Sequence, residues 1–276
     1  MLKTLKRIFK LDKEKFKVPK CVQDIIPVKA IWEDGIFLVG KNKYSKSYKF
    51  LDINYAVASR EDKEAMFLDY SSLLNSLDTG ATTKITINNR RINKLDFEKT
   101  ILLKDANDEL DEYRHEYNQM LINQAKDANE IVQEKIITIS VYKDSVEEAR
   151  NYFTRASTEL MNRFNTLGSK CIELNAKERL RIAHDFYRIG EETSFHFDIH
   201  ETMKKGHDFK DFICPDTAEF EKDYFMIGNR YGRAFFLKEY ASYINDSMVS
   251  ELTDLNRNMM LSVDIIPIPT DEAVKE

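Results

Sequence analysis

Three groups of residues in this 276-residue chain have types and spacings that chemistry would need. Gly35-Ile-Phe-Leu-Val-Gly40-Lys41-Asn42 approaches the G-x-x-x-x-G-K-[ST] loop that cradles nucleotide phosphates. That loop works because small residues let backbone amides curl around the phosphates, a hydroxyl takes magnesium, and a helix follows the Lys. Here bulky apolar side chains fill the loop, Asn42 stands where the hydroxyl is needed, and a second strand follows, so the match is a decoy. His196-Phe-Asp-Ile-His200 puts two imidazoles one helical turn apart, with His207 and Cys214 beyond, a donor set that suits zinc. No Glu base accompanies the pair, the later spacings are loose, and Lys204 and Lys205 oppose a cation, so these read as surface His at a junction and no metal is expected. His115 and His184 read as isolated positions on charged helix faces.

The third group is Asn88-Asn89-Arg90-Arg91 with Lys84 and Lys94 close by. Arg and Asn can contact phosphates or read base edges through paired hydrogen bonds, which makes Lys84, Arg90, Arg91 and Lys94 the nucleic-acid candidates. A polar turn closing a strand has the same composition, and a net charge of −5 is not the balance of a general nucleic-acid binder. No nucleophile stands beside a general base, so the chain is expected to be no enzyme and to hold no cofactor.

Positive charge is concentrated at the start. Lys3, Lys6, Arg7, Lys10, Lys13, Lys15, Lys17 and Lys20 face only Asp12 and Glu14, while Leu2, Leu5 and Phe9 fall along one helical side. A basic helix with apolar anchors can lie on an anionic membrane, each cation adding about 1 kcal/mol. Residues 1–20 therefore read as a basic amphipathic tail, with Lys3, Lys6, Arg7, Phe9 and Lys10 as membrane-surface candidates. The apolar runs are too short to span a bilayer, and Cys21, Cys171 and Cys214 are too widely spaced for a disulfide framework, which suits a reducing cytoplasm.

The elements that must position these residues follow a pattern that appears twice. Phe37-Leu-Val-Gly40 precedes Tyr44, Lys46, Tyr48, Phe50 and Asp52; Phe225-Met-Ile-Gly228 precedes Tyr231, Arg233, Phe235, Leu237 and Glu239. Each reads as a hairpin whose second strand alternates aromatic and charged side chains, followed by a helix and a further strand, near Thr82 to Asn88 and Met259 to Ile266. Between the copies, Ser59 with Asp62 caps a helix, and a long helix from about Asp108 to Val132 carries the stripe Leu110, Tyr113, Tyr117, Met120 and Ile131 and is expected to project. A strand from Lys135 to Val141 follows. Ser145 with Glu148 caps a helix with the stripe Val146, Ala149, Phe153, Ala156, Leu160 and Phe164, stopped by Gly168; a strand from Lys170 and a helix from Asn175 with Glu178 come next.

The fold class is thus α+β: two lobes with repeated ββαβ units, the first ferredoxin-like with a long inserted helix. The expected divisions are the tail 1–20, a first lobe 21–190, a linker 191–217 where periodicity weakens, and a second ββαβ unit at 218–276. That second unit is expected to be cut short before a further domain.

Asp52-Ile-Asn-Tyr-Ala-Val-Ala-Ser59, Gly80-Ala-Thr-Thr-Lys-Ile-Thr-Ile-Asn-Asn-Arg-Arg91, Glu148-Ala-Arg-Asn-Tyr-Phe153, Gly168-Ser-Lys-Cys-Ile-Glu-Leu174 and Tyr240-Ala-Ser-Tyr-Ile-Asn-Asp-Ser-Met248 carry a resemblance as continuous text. They resemble the amino-terminal region of conjugal transfer ATPases of the CagE/TrbE/VirB family, as found in integrative conjugative elements of Gram-positive bacteria. The resemblance implies a type IV secretion motor whose ATP is hydrolysed by a carboxy-terminal RecA-like domain, while the amino-terminal part docks on inner-membrane channel components and on neighbouring subunits. It further implies a cytoplasmic position at the inner face of the cell membrane. No Walker segment is present in this chain, so no catalytic residue of the family carries over and ATP belongs to the absent domain.

Overall fold

Tyr44, Tyr48 and Phe50 at even positions, with polar Lys43, Ser45, Ser47 and Lys49 between them, demand a strand with one face turned to a core, and that strand lies at the centre of the structure. The computed structural model describes residues 19–55, 57–76, 78–91, 102–127, 131–239, 243 and 245–267. The first half of the chain forms β1 (Ala30–Ile31), β2 (Phe37–Gly40), β3 (Lys43–Phe50), α1 (Arg60–Asn75), β4 (Ala81–Arg91) and α2 (Asp111–Asp127). The second half forms β5 (Ile131–Tyr142), α3 (Val146–Thr166), β6 (Cys171–Glu173), α4 (Ala176–Tyr187), α5 (Ile199–Lys205), β7 (Ala218–Phe220), β8 (Phe225–Ile227), β9 (Arg230–Gly232), α6 (Asp246–Thr253) and β10 (Met259–Ile265).

The fold is mixed α+β. Its main sheet runs β1-β2-β3-β5-β4-β10, with β6 on β3 beside β2, and every pairing is antiparallel. Within it, β3-α1-β4-β5-α3-β6 with spatial order β6-β3-β5-β4 is the ferredoxin-like split arrangement, and α2 is inserted between β4 and β5. β3 pairs with β5 along its whole length, from Lys43 opposite Tyr142 to Phe50 opposite Lys135.

The core on one face of this sheet is closed by α1 and α3. Ser59 and Ser145 accept the amide hydrogens of Asp62 and Glu148, which satisfies donors the first helical turns leave over. The α3 stripe then buries Ala149, Phe153, Leu160 and Phe164 against Tyr48, Ile137, Ile139 and Leu73. Burying each large apolar side chain contributes roughly 1.5–3 kcal/mol. The Tyr48 hydroxyl lies 2.9 Å from Ser157 Oγ on α3, so the polar tip inside this core has a partner.

The other face carries α4 and the residues after it. Asn175 and Glu178 make a reciprocal capping box at the start of α4. Arg179 reaches back to donate to the Gly35 and Ser45 carbonyls at 2.7 and 2.8 Å, with its guanidinium 3.9 Å from the centre of the Phe37 ring. Gly35 has φ of +78°, and a Cβ there would lie 2.0 Å from the Leu174 carbonyl oxygen, so only glycine fits this turn.

The structure corrects the sequence reading in several places. Asn88 to Arg91, read as a closing turn, are the end of β4 and pair with Glu134 to Ile131. Asn and Arg disfavour strands alone, but a long neighbouring strand overrides that preference. Ile131, read into the long helix, begins β5, and the helix ends at Asp127. Residues 191–217, read as a linker, bring Phe195, Phe197, Ile213 and Cys214 into a second core with Ile26, Phe37 and Leu180. Short turns of 3-10 helix at Glu192–Ser194 and Phe209–Phe212 space these side chains irregularly, so no period marks them. His184 is not on a charged outer face: it is buried, 5.1 Å from the Phe195 ring centre.

The second ββαβ unit also differs from the first. Its hairpin forms a small sheet, β7-β8-β9, while its last strand, β10, pairs with β4 at the edge of the main sheet from Met259 opposite Asn89 to Ile265 opposite Thr83. The copies are alike in sequence plan and unlike in what they join.

Candidate docking surfaces

The nucleic-acid candidates that lie among the described residues are held in ion pairs. Lys84 projects from β4 toward Asp264 of β10 at 3.5 Å. Arg90 lies 3.6 Å from Glu134, which also takes Lys49 at 2.7 Å, and these residues line a groove of about 420 Å³ beneath α4 together with Arg181 and Asp185. Most of the positive charge in the groove is offset by carboxylates, which weakens the field offered to a polyanion. Asn89 is buried and donates to the Thr253 carbonyl, which Gln133 also reaches at 3.3 Å. Two side-chain amides thereby take up a carbonyl at the end of α6 and tie that helix to the main sheet. The side chain of Arg91, and Lys94, Lys3, Lys6, Arg7, Phe9 and Lys10, lie outside the described residues.

The zinc candidates have separate partners. His196 Nδ1 is 3.0 Å from the Ser194 carbonyl, His200 is 3.6 Å from Glu33, and Cys214 is buried in the second core, where burial raises its thiol pKa. Among the described residues no group of three or more His, Cys, Asp or Glu is placed to hold a metal ion. Lys41 and Asn42 make the turn between β2 and β3, Asn42 at φ of +56°, so the phosphate-loop look-alike is a hairpin with no helix after its Lys.

Two surfaces stand out by exposure. On α2, the residues turned partly inward are Asp111, Arg114, Asn118, Leu121 and Ile122, whereas Tyr113, Tyr117 and Met120, with Leu110 just before the helix, form an outward stripe. Tyr113 is 66% and Tyr117 47% exposed. An amphipathic helix in a globular protein ordinarily turns its apolar stripe to the core; here the stripe is exposed, and polar groups on the other side hold the helix to the loop before it. Asn118 pairs with both backbone groups of Leu103 at 2.9 and 2.8 Å, and Arg114 bridges Asp108 and Asp111. The Arg114 guanidinium holds the Asp108 carboxyl below the usual range, and the Ala106 amide does the same for Asp111.

The second surface is the small sheet and the residues beyond it. Phe220, Tyr224, Tyr231, Phe235, Phe236 and Leu237 are all exposed, Phe235 at 86% and Phe236 at 88%. The Phe225 ring lies over Gly232, where a Cβ would meet ring carbons at 2.2 Å, and Arg230 donates to the Ile189 carbonyl at 3.2 Å and so fixes the hairpin to the end of α4. The alternation through Glu239 predicts a long second strand; the structure pairs only Arg230 to Gly232, because the neighbouring β8 begins at Phe225, opposite Gly232, and no other strand among the described residues lies beside it. Large exposed apolar groups of this kind are characteristic of interaction sites.

The α2 stripe was legible as a helix face from its spacing; its outward direction was not, since periodicity does not say which way a stripe points. Among the described residues no helix is long and apolar enough to cross a membrane. No family model matches the chain, and no curated protein matches it in sequence.

Proposed function

We propose that this chain is the docking and coupling part of a conjugal transfer ATPase of type IV secretion, holding the motor to inner-membrane channel components and to neighbouring subunits. The observation that carries the reading is α2, a helix anchored by polar contacts with its Tyr113 and Tyr117 stripe turned outward. Such a stripe fits the groove of a helical partner, where aromatic anchors contribute most of the binding energy. The sequence resemblance supplies the identity of the motor, and the basic tail at residues 1–20 fits a site beside an anionic membrane surface on the cytoplasmic side. In this reading nucleotide-driven motion of an ATPase domain passes through the sheet to the channel, and the chain itself performs no chemistry. The nucleic-acid reading has less support, since Lys84 and Arg90 already face Asp264 and Glu134.

A donor strain lacking the gene, complemented with the protein carrying Tyr113→Glu and Tyr117→Glu, tests this. Loss of two aromatic anchors is expected to lower transfer by about tenfold or more at unchanged protein level. Transfer at the normal frequency would rule the stripe out as the docking element.

A further inference from the structure

We propose that residues 233–239, which follow β9 at the outer edge of the small sheet, are a self-pairing segment, where two copies of this chain join in antiparallel register centred on Phe236. The proposal goes beyond the conjugation reading and does not depend on it. It starts from the first hairpin, where the outer side of β3 is filled along its whole length by β5. The second hairpin follows the same plan, yet β9 pairs only with β8, and residues 233–239 pair with no strand among the described residues. An unpaired edge presents a row of amide and carbonyl groups that another strand can extend.

The hairpin sets which residues face outward when the strand is extended. Ile227 and Arg230 close a two-residue turn, Gly228 and Asn229, with Gly228 at φ of +59°. The pair that closes such a turn exchanges both its hydrogen bonds, so the next residue, Tyr231, aims its amide and carbonyl away from β8. Residues 233–239 lie beyond the strand, with a bend at Lys238 and Glu239; drawn out as its continuation on pairing, they aim Arg233, Phe235, Leu237 and Glu239 the same way.

The sequence of this edge is self-complementary. A two-fold axis perpendicular to the sheet preserves which face each side chain occupies, so residues paired across it must share parity. With Phe236 on the axis, Arg233 falls opposite Glu239 twice and Phe235 opposite Leu237 twice, all of them residues whose backbone groups the extended segment points outward. Opposite charges and apolar pairs directly across an antiparallel ladder stabilise it, and like charges destabilise it. Arg233 spends its Nε on the Asp223 carbonyl at 3.1 Å, and its terminal nitrogens can take the carboxylate. Phe235, Phe236 and Leu237, among the most exposed large side chains of the described residues, lose that exposure in the pair. Such an interface is isologous and closed, as a two-fold dimer requires.

Sedimentation equilibrium on the whole chain, from micromolar to millimolar concentration, tests the pairing. The expected result is a concentration-dependent rise from one to two monomer masses. Arg233→Glu or Glu239→Arg alone creates two like-charge pairs and should raise the dimer dissociation constant by about tenfold or more. The double exchange R233E with E239R should restore it. A chain that stays monomeric throughout, a dimer indifferent to either single reversal, or a double exchange that fails to restore pairing would each overturn the proposal. Both residues are exposed, and unchanged circular dichroism of the single variants keeps a folding defect from imitating the expected loss.

Discussion

The two hairpins share a sequence plan and have opposite fates. In the first, Tyr44 and Tyr48 turn into a core under α3, β5 covers the outer side, and the hairpin is the middle of the main sheet. In the second, Tyr231 and Phe235 carry the same alternation into solvent, and the strand shortens to Arg230–Gly232. The difference teaches that alternation marks a strand able to bury one face, while burial itself depends on what the rest of the chain supplies. The first copy receives β5 and α3. The second gives up its α6 and β10 to the main sheet, where Asn89 and Gln133 hold the end of α6.

Substitutions at matching positions should break this comparison most visibly. Tyr48→Ala opens a cavity in the core and leaves Ser157 without its partner, and the expected loss is about 3–5 kcal/mol in urea unfolding. Tyr231→Ala removes a side chain that is 76% exposed, and the expected change stays within about 0.5 kcal/mol. Equal losses at the two sites would mean that the second hairpin is packed as tightly as the first.

A smaller effect sharpens the account of α6. Asn89→Ala withdraws one of the two amides that reach the Thr253 carbonyl and also removes a partner of Gln133. The expected loss is about 1–3 kcal/mol, concentrated in faster amide exchange of α6 and β10 with α3 unchanged. Exchange that rises evenly over the whole sheet would show that α6 and β10 do not open as a separate unit.

Much of the frame was legible beforehand. Ser59, Ser145 and Asn175 stand at helix starts, each with an acidic residue three positions on, and all three cap helices there. The α3 stripe was readable because buried positions recur at 3.6-residue spacing. What was not legible depended on partners remote in sequence. Asn88 to Arg91 look like a turn until β5 lies beside them, and Phe195, Phe197 and Ile213 look unpatterned until Leu180 and Phe37 meet them. The candidate surface divided in the same way: spacing showed Tyr113 and Tyr117 on one helix face, while that face's exposure shows only in the structure, where Asn118 and Arg114 hold the opposite side to the loop before the helix.

The central claim is that the α2 stripe seats on the channel. The most direct test is a photo-crosslinking amino acid placed at Tyr117 in mating donor cells, with the same probe at Met203 of α5, a still more exposed apolar position, as the control. The account predicts an adduct with an inner-membrane channel component from position 117 and none from position 203. No adduct from position 117, or the same adduct from both, would contradict it.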